Sequence, residues 1–223
     1  MMSSSTYVFD VYGTLFDVHS IAAACRQAAP EKEETLSRIW REKQIQYTFL
    51  RQAMGKYRSF EHVTRDALRY AAAAAGTSLS GNMETALLEA YQSLELFPES
   101  SRVLQTLKNN GSTVIVFSNG TRNMLEPLLH HGGIRPYIDF VLSVDDVKQY
   151  KPSPASYQLI LDHVPVHRSD ITFLSSNGWD ISGAEAFGFT TVWVNRSGAP
   201  VEELQLPPDE EWSSLEPLEK PSP

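Results

Sequence analysis

Tyr7-Val8-Phe9-Asp10-Val11-Tyr12-Gly13-Thr14-Leu15-Phe16-Asp17 is the stretch from which the fold is read. Its first three residues are β-branched or aromatic, and they run into an acid and then a glycine turn. This pattern predicts a short buried strand followed by a loop. The next residues change character. From His19 to about Leu96 the chain is rich in Ala, Leu, Gln, Glu and Arg, all helix formers. Four helices are expected, over about 19–29, 31–55, 60–75 and 82–95, punctuated by Pro30, Gly55 and Gly76 to Gly81. No strand is expected in this stretch.

After Pro98 the pattern alternates. A helix at about 99–109 precedes the apolar run Thr113 to Phe117, and a second helix follows at about 121–132. Then come Phe140 to Leu142, a helix opening at Pro152 to Pro154, and the run Ile171 to Leu174. A helix at 179–187 and the run Thr190 to Val194 close the series. Continuously apolar strands alternating with helices argue for a parallel sheet covered on both faces. The expected architecture is α/β: a doubly wound, Rossmann-like parallel-sheet core of residues 1–14 and 98–223, with a helical cap domain of residues 15–97 inserted after the first strand. From Pro207 the tail is rich in Pro, Glu and Ser and is expected to pack loosely.

Composition narrows the function. The 223 residues are 42% apolar, which suits a buried core and not a disordered chain. No apolar run reaches the length of a membrane span. Lys plus Arg number 19 against 27 Asp plus Glu, a net charge of −8 without a basic block, so nucleic acid is a poor partner. The first residues lack a basic segment followed by an apolar one, and Cys25 is the single cysteine; both point to a cytoplasmic protein. Pro165 separates His163 from His167, and no zinc or nucleotide motif is present, so neither a metal nor a cofactor is expected.

In doubly wound sheets, ligands bind at the carboxyl ends of the strands. Four polar groups stand there in order: Asp10; Ser118 with Asn119; Lys151; and Ser175-Ser176-Asn177-Gly178-Trp179-Asp180. One alone reads as a cap or a turn. Four at successive strand ends are a specific signal. Lys151 also precedes a helix start, where a cation is electrostatically misplaced, which favours a functional role. Asp17 reads as a helix N-cap.

These residues resemble the four motifs of the haloacid dehalogenase superfamily, over nearly the whole chain. Within it, Tyr12, Arg41, Tyr157 and the run Ser175 to Asp180 are similar to the L-2-haloacid dehalogenases. Related phosphatases carry a second acid where this chain has Tyr12, and further carboxylates for Mg²⁺ where it has Ser175, Ser176 and Asn177. A halide leaving group needs neither a proton nor that metal.

The resemblance implies a nucleophilic Asp10 attacking the α-carbon of a 2-haloalkanoate to form an ester, which water then hydrolyses. It implies that Ser118, Lys151 and the backbone N–H groups of Val11 and Tyr12 hold the substrate carboxylate. Arg41 and Asn119 receive the halide, and Phe60 and Trp179 wall the pocket. Thr14, Ser175 and Asn177 orient the carboxylates, Asp180 positions Lys151 and activates water, and Tyr157 belongs to the same site. Glu42, beside Arg41, would oppose an anionic substrate if it turned inward. Two other readings stay open: a Mg²⁺-dependent phosphatase or phosphonate hydrolase of the same superfamily, and a silent binding protein on this scaffold. Relatives of this type commonly pair, and the apolar positions of the helix at 31–55 fit a homodimer as well as a core.

Overall fold

The computed structural model describes residues 5–219; the ends of the opening segment and of the tail lie outside the described residues. β1 (Thr6–Phe9) lies between two later strands, pairing in parallel with both. A two-residue strand, β2 (Phe16–Asp17), then leads into α1 (Ala22–Ala28), α2 (Glu33–Ala53), α3 (Phe60–Ala74) and α4 (Gly81–Ala90). Asp17 caps the short 3-10 turn before α1, its carboxylate accepting from the N–H of His19 at 2.8 Å.

These helices pack on one another because their apolar residues recur at helical spacing. On α3 the buried stripe is Phe60, Val63, Thr64, Ala67, Leu68 and Ala71, a continuous face. It meets α2, where the indole of Trp40 is buried and donates to the Thr64 carbonyl at 2.8 Å. Gln44 completes the junction, donating to the Thr64 hydroxyl and accepting from Tyr91.

The chain leaves this block through β3 (Glu95–Leu96), antiparallel to β2 with Phe16 opposite Leu96. The expectation of no strand between His19 and Leu96 is therefore corrected, and the fourth helix ends at Ala90 rather than 95. A two-residue pairing has no periodicity to read. It brings the entry to the helical block and its exit side by side.

The remainder follows the expected alternation: α5 (Ser100–Asn109), β4 (Thr113–Ser118), α6 (Arg122–His131), β5 (Phe140–Ser143), α7 (Pro154–Leu161), β6 (Ile171–Ser175), α8 (Gly178–Phe187) and β7 (Thr190–Val194). β8 (Glu210–Trp212) completes a six-stranded parallel sheet of order β5-β4-β1-β6-β7-β8, with helices on both sides. Among the described residues the tail is thus not loose: Asn195 donates its N–H to the Trp212 carbonyl at 2.7 Å, and Leu215 is fully buried. Its polar Glu-Glu-Trp sequence suits an edge strand and hides it from an apolar pattern search. The strand order reverses between β1 and β6, the two strands that the first and fourth motifs follow.

Candidate active site

Asp10 extends β1 by one bond, donating its N–H to the Leu174 carbonyl at 2.9 Å. The chain then turns sharply. The Val11 carbonyl accepts from the N–H groups of Leu15 and Phe16, both at 3.1 Å, and Gly13 has φ +94°. A side chain at Gly13 would strain that conformation. The turn carries Thr14 back beside Asp10.

Both oxygens of the Asp10 carboxylate are held. Oδ1 accepts from Lys151 Nζ at 2.9 Å; Oδ2 accepts from Thr14 Oγ1 at 3.1 Å and from Asn177 Nδ2 at 2.9 Å. Thr14 Oγ1 in turn accepts the N–H of Ser176 at 2.8 Å, which ties the loop after β1 to the loop after β6. The Ser175 hydroxyl accepts from the N–H of Asn177 at 3.1 Å. Ser175 thus acts through the backbone of Asn177, whose side chain holds Asp10.

Lys151 also donates to Asp180 Oδ2 at 2.6 Å and to the Phe117 carbonyl at 3.3 Å. Its ammonium lies 4.9 Å from the ring centre of Phe117 and 5.6 Å from that of Phe173. Burial pulls the Lys151 ammonium toward neutrality, but Asp10 and Asp180 outweigh it and raise its affinity for the proton. Burial likewise raises Asp180; Lys151 opposes this and Asp10 adds to it. One cation buried against two carboxylates thus holds its protons tightly.

Tyr157, which the resemblance places in the site without giving its partner, donates to Asp180 Oδ1 at 2.8 Å and to the Asp180 carbonyl at 3.1 Å. Burial and Asp180 together push the phenol well above its ordinary range, which keeps it a donor. With Oδ2 on Lys151 and Oδ1 on Tyr157, the Asp180 geometry favours positioning of Lys151 over activation of water. α8 has to come close for this to happen. Gly183 permits it, since a β-carbon there would lie 2.5 Å from both Pro152 Cβ and the Tyr157 hydroxyl.

Above Asp10 is a small cavity of about 10 Å³. The sheet side contributes Asp10, Tyr12, Ser118, Asn119, Lys151, Asn177 and Trp179; the helical block contributes Arg41, Ile45 and Phe60. Arg41 Nη2 donates to the Tyr12 carbonyl at 3.4 Å and to Asn177 Oδ1 at 3.3 Å. It therefore reaches across from α2 to the strand ends and is not a solvated helix charge. Asn119 accepts the N–H of Lys151 on its side-chain carbonyl at 3.0 Å, which leaves its amide NH₂ group as its remaining donor. Ser118 is fully buried and accepts from the N–H of Gly120 at 3.1 Å. Val11 is buried too, so its contribution to a ligand is limited to its backbone. A second cavity of about 390 Å³, lined also by Gly13, His19 and Arg196, shares Arg41 and Asn177.

Glu42 turns away from this cavity. Its side chain is 57% exposed and pairs with Arg38 at 2.7 Å, so it does not oppose an anion in the site. Ile45 also lines the cavity, a residue that no motif in the sequence marks. It lies four residues from Arg41, and that spacing on one helix face was the available signal. Trp179 is propped edge-on by Phe49, with ring centres 5.2 Å apart. Among the described residues, no group of three or more His, Cys, Asp or Glu side chains is placed to hold a metal ion. No described helix is long and apolar enough to cross a membrane.

A buried lysine between an aspartate at the end of the first strand and a second in the first turn of α8, beneath a helical block inserted after that strand, defines a hydrolase of the class with an aspartate at the end of its first strand. The chain belongs to the haloacid dehalogenase-like hydrolases, whose family model matches residues 5–188. It is 42% identical over 207 residues to the (S)-2-haloacid dehalogenase of Pseudomonas sp. (strain YL), covering 93% of this chain and 89% of that one. It is 37% identical to haloacetate dehalogenase H-2 of Moraxella sp. (strain B), covering 94% and 93%. The crystal structure of L-2-haloacid dehalogenase from Xanthobacter autotrophicus with chloropropionic acid covalently bound superposes with a TM-score of 0.91 at 33% identity, covering 97% of each chain.

Proposed function

We infer that this chain hydrolyses the carbon–halogen bond of short (S)-2-haloalkanoic acids, giving 2-hydroxy acids of inverted configuration. The observation that carries the reading is the Asp10 carboxylate, held on both oxygens by Lys151, Thr14 and Asn177 under a cavity closed by Arg41, Ile45 and Phe60. The similarity to (S)-2-haloacid dehalogenases over more than nine-tenths of the chain supports it.

The reaction has two steps. Asp10 attacks the α-carbon and expels halide, forming an ester; the fixed carboxylate meets the substrate at the back of the carbon–halogen bond, which gives inversion. Water then attacks the ester carbonyl and releases the hydroxy acid, restoring Asp10. The substrate carboxylate takes Ser118, Lys151 and the backbone N–H groups of Val11 and Tyr12. Arg41 and the Asn119 amide receive the halide, while Phe60, Trp179 and Ile45 keep bulk water from the carbon. The covalently bound chloropropionic acid of the Xanthobacter relative supports an ester intermediate. No metal enters this scheme: Lys151 already bridges the two aspartates, and Tyr12 stands where a phosphatase carries its second acid.

The reading extends to organisation. Residues 15–97 act as a cap domain over a core of residues 1–14 and 98–223. The exposed Leu50 of α2, Met54 just past its end and Tyr70 of α3 suit a homodimer, and the buried free thiol of Cys25 suits the cytoplasm.

The test is halide release from each enantiomer of 2-chloropropionate with EDTA present, beside p-nitrophenyl phosphate with Mg²⁺. Halide from the (S) form alone, insensitive to chelator and abolished in Asp10→Asn, is the expected result. Phosphate ester cleavage without halide release would overturn it.

A further inference from the structure

We propose that Gln52, at the end of α2 and outside the cavity, is a positioning residue for Lys151. The segment leading to Lys151 is clasped by the helical block. The Gln52 side-chain carbonyl accepts the N–H of Tyr150 at 2.9 Å, and its amide donates to Gln149 Oε1. The next N–H along, that of Lys151, is held by Asn119 from the sheet at 3.0 Å. Two consecutive peptides are thus pinned from opposite sides, one by the cap and one by the core.

The clasp continues on both flanks. Tyr150 is fully buried, and its hydroxyl donates to the Arg58 carbonyl at 2.6 Å. Tyr57 donates to Asp145 at 2.6 Å and packs its ring 4.9 Å from that of Tyr150. A buried lysine fixed at its backbone has little freedom in where its ammonium falls, and here the ammonium must meet two carboxylates at once. An N–H at position 150 without an acceptor would move toward a new partner and carry Lys151 with it. Gln52 therefore makes the geometry of Lys151 depend on the helical block being seated.

The kinetic part of the test rests on the dehalogenase reading; the spectroscopic part does not. Gln52→Met keeps length and loses both hydrogen bonds, whereas Gln52→Glu keeps an oxygen for the Tyr150 N–H. We expect kcat for halide release to fall about tenfold or more in Gln52→Met with KM little changed, and to return in Gln52→Glu, since small misplacements at a reacting centre are costly. In protein labelled with ¹³C at lysine Cε, the Lys151 resonance, assigned by its loss in Lys151→Met, should shift in Gln52→Met and return in Gln52→Glu. An unmoved resonance in Gln52→Met, or an equal loss of kcat in both variants, would overturn the proposal. Gln52→Ala decides in its place should the methionine variant not fold. If the wild type released no halide, the dehalogenase reading would fall and the resonance would still decide the role of Gln52.

Discussion

Lys151 Nζ stands 2.6 Å from Asp180 Oδ2, and the two side chains are 1% and 0% exposed. Asp10 shares the same ammonium at 2.9 Å. Removing the cation leaves two carboxylates buried close together without compensation, so Lys151→Met should destabilise the fold by about 3–5 kcal/mol, the range for a broken buried pair. Urea unfolding at neutral pH measures this. A midpoint close to that of the wild type would show that water already screens the cluster.

The same cluster sets a dependence on alkaline pH. The folded pKa of Lys151 lies above its ordinary 10.5, so the folded state binds the proton more tightly than the unfolded one. The resulting stabilisation is complete below 10.5 and is lost as pH climbs through the higher folded value. Other groups also titrate there, so the comparison is with Lys151→Met. Over about pH 9 to 12 the wild-type urea midpoint should fall more steeply than that of the variant. Parallel curves would contradict the raised value. Asp180 has the same sign: its folded pKa lies above 3.8, so its contribution is complete below that value and declines as pH rises.

Tyr12 offers a test with the opposite direction. Its hydroxyl is buried without a hydrogen-bond partner among the described residues, and burial pushes the phenol well above its ordinary range. The ring packs between Phe60 and Tyr91, with centres 6.0 and 6.1 Å away. Tyr12→Phe keeps those contacts and deletes an unsatisfied group, so it should raise stability by about 1–3 kcal/mol. Thermal melts and halide release together are decisive. Higher stability with unchanged kcat is expected, whereas a fall in kcat would mean that the hydroxyl meets the substrate.

The strand ends were legible in the sequence because buried parallel strands are unbroken apolar runs, and those of β1, β4 and β6 stop at polar residues with a place in the site. Asp10, Ser118 and Ser175 could be found that way, and Asp180 by its place in the run that follows Ser175. Arg41 could not: on a surface pattern it is one charge among Arg38, Glu42 and Lys43, and only its reach to Tyr12 and Asn177 separates it. β8 was hidden because an edge strand of two glutamates and a tryptophan has no alternation, and its place is set by distant partners such as Asp209 on the Thr191 N–H. Gln52 was hidden for a related reason. Its partners lie 97 and 98 residues away, and nothing local marks a glutamine near a helix end as different from its neighbours.

Gly183 separates local preference from tertiary fit. Glycine inside a helix is less favourable than alanine by about 0.5–1 kcal/mol, so on propensity alone Gly183→Ala should stabilise α8. The new methyl would instead meet Pro152 Cβ and the Tyr157 hydroxyl, each at 2.5 Å. Neither can yield freely: Pro152 follows Lys151, and the Tyr157 hydroxyl holds Asp180. Overpacking of this kind costs about 1–3 kcal/mol, which exceeds the propensity gain, so the variant should melt lower and turn over more slowly. Tyr157→Phe removes one of the two clashing atoms, so the double variant should be more stable than the sum of the single losses predicts. A double-mutant cycle on melting and on kcat reads this coupling. Additive losses would mean that α8 shifts as a body to admit the methyl, and that the close approach of Gly183 is not what holds Asp180 against Lys151.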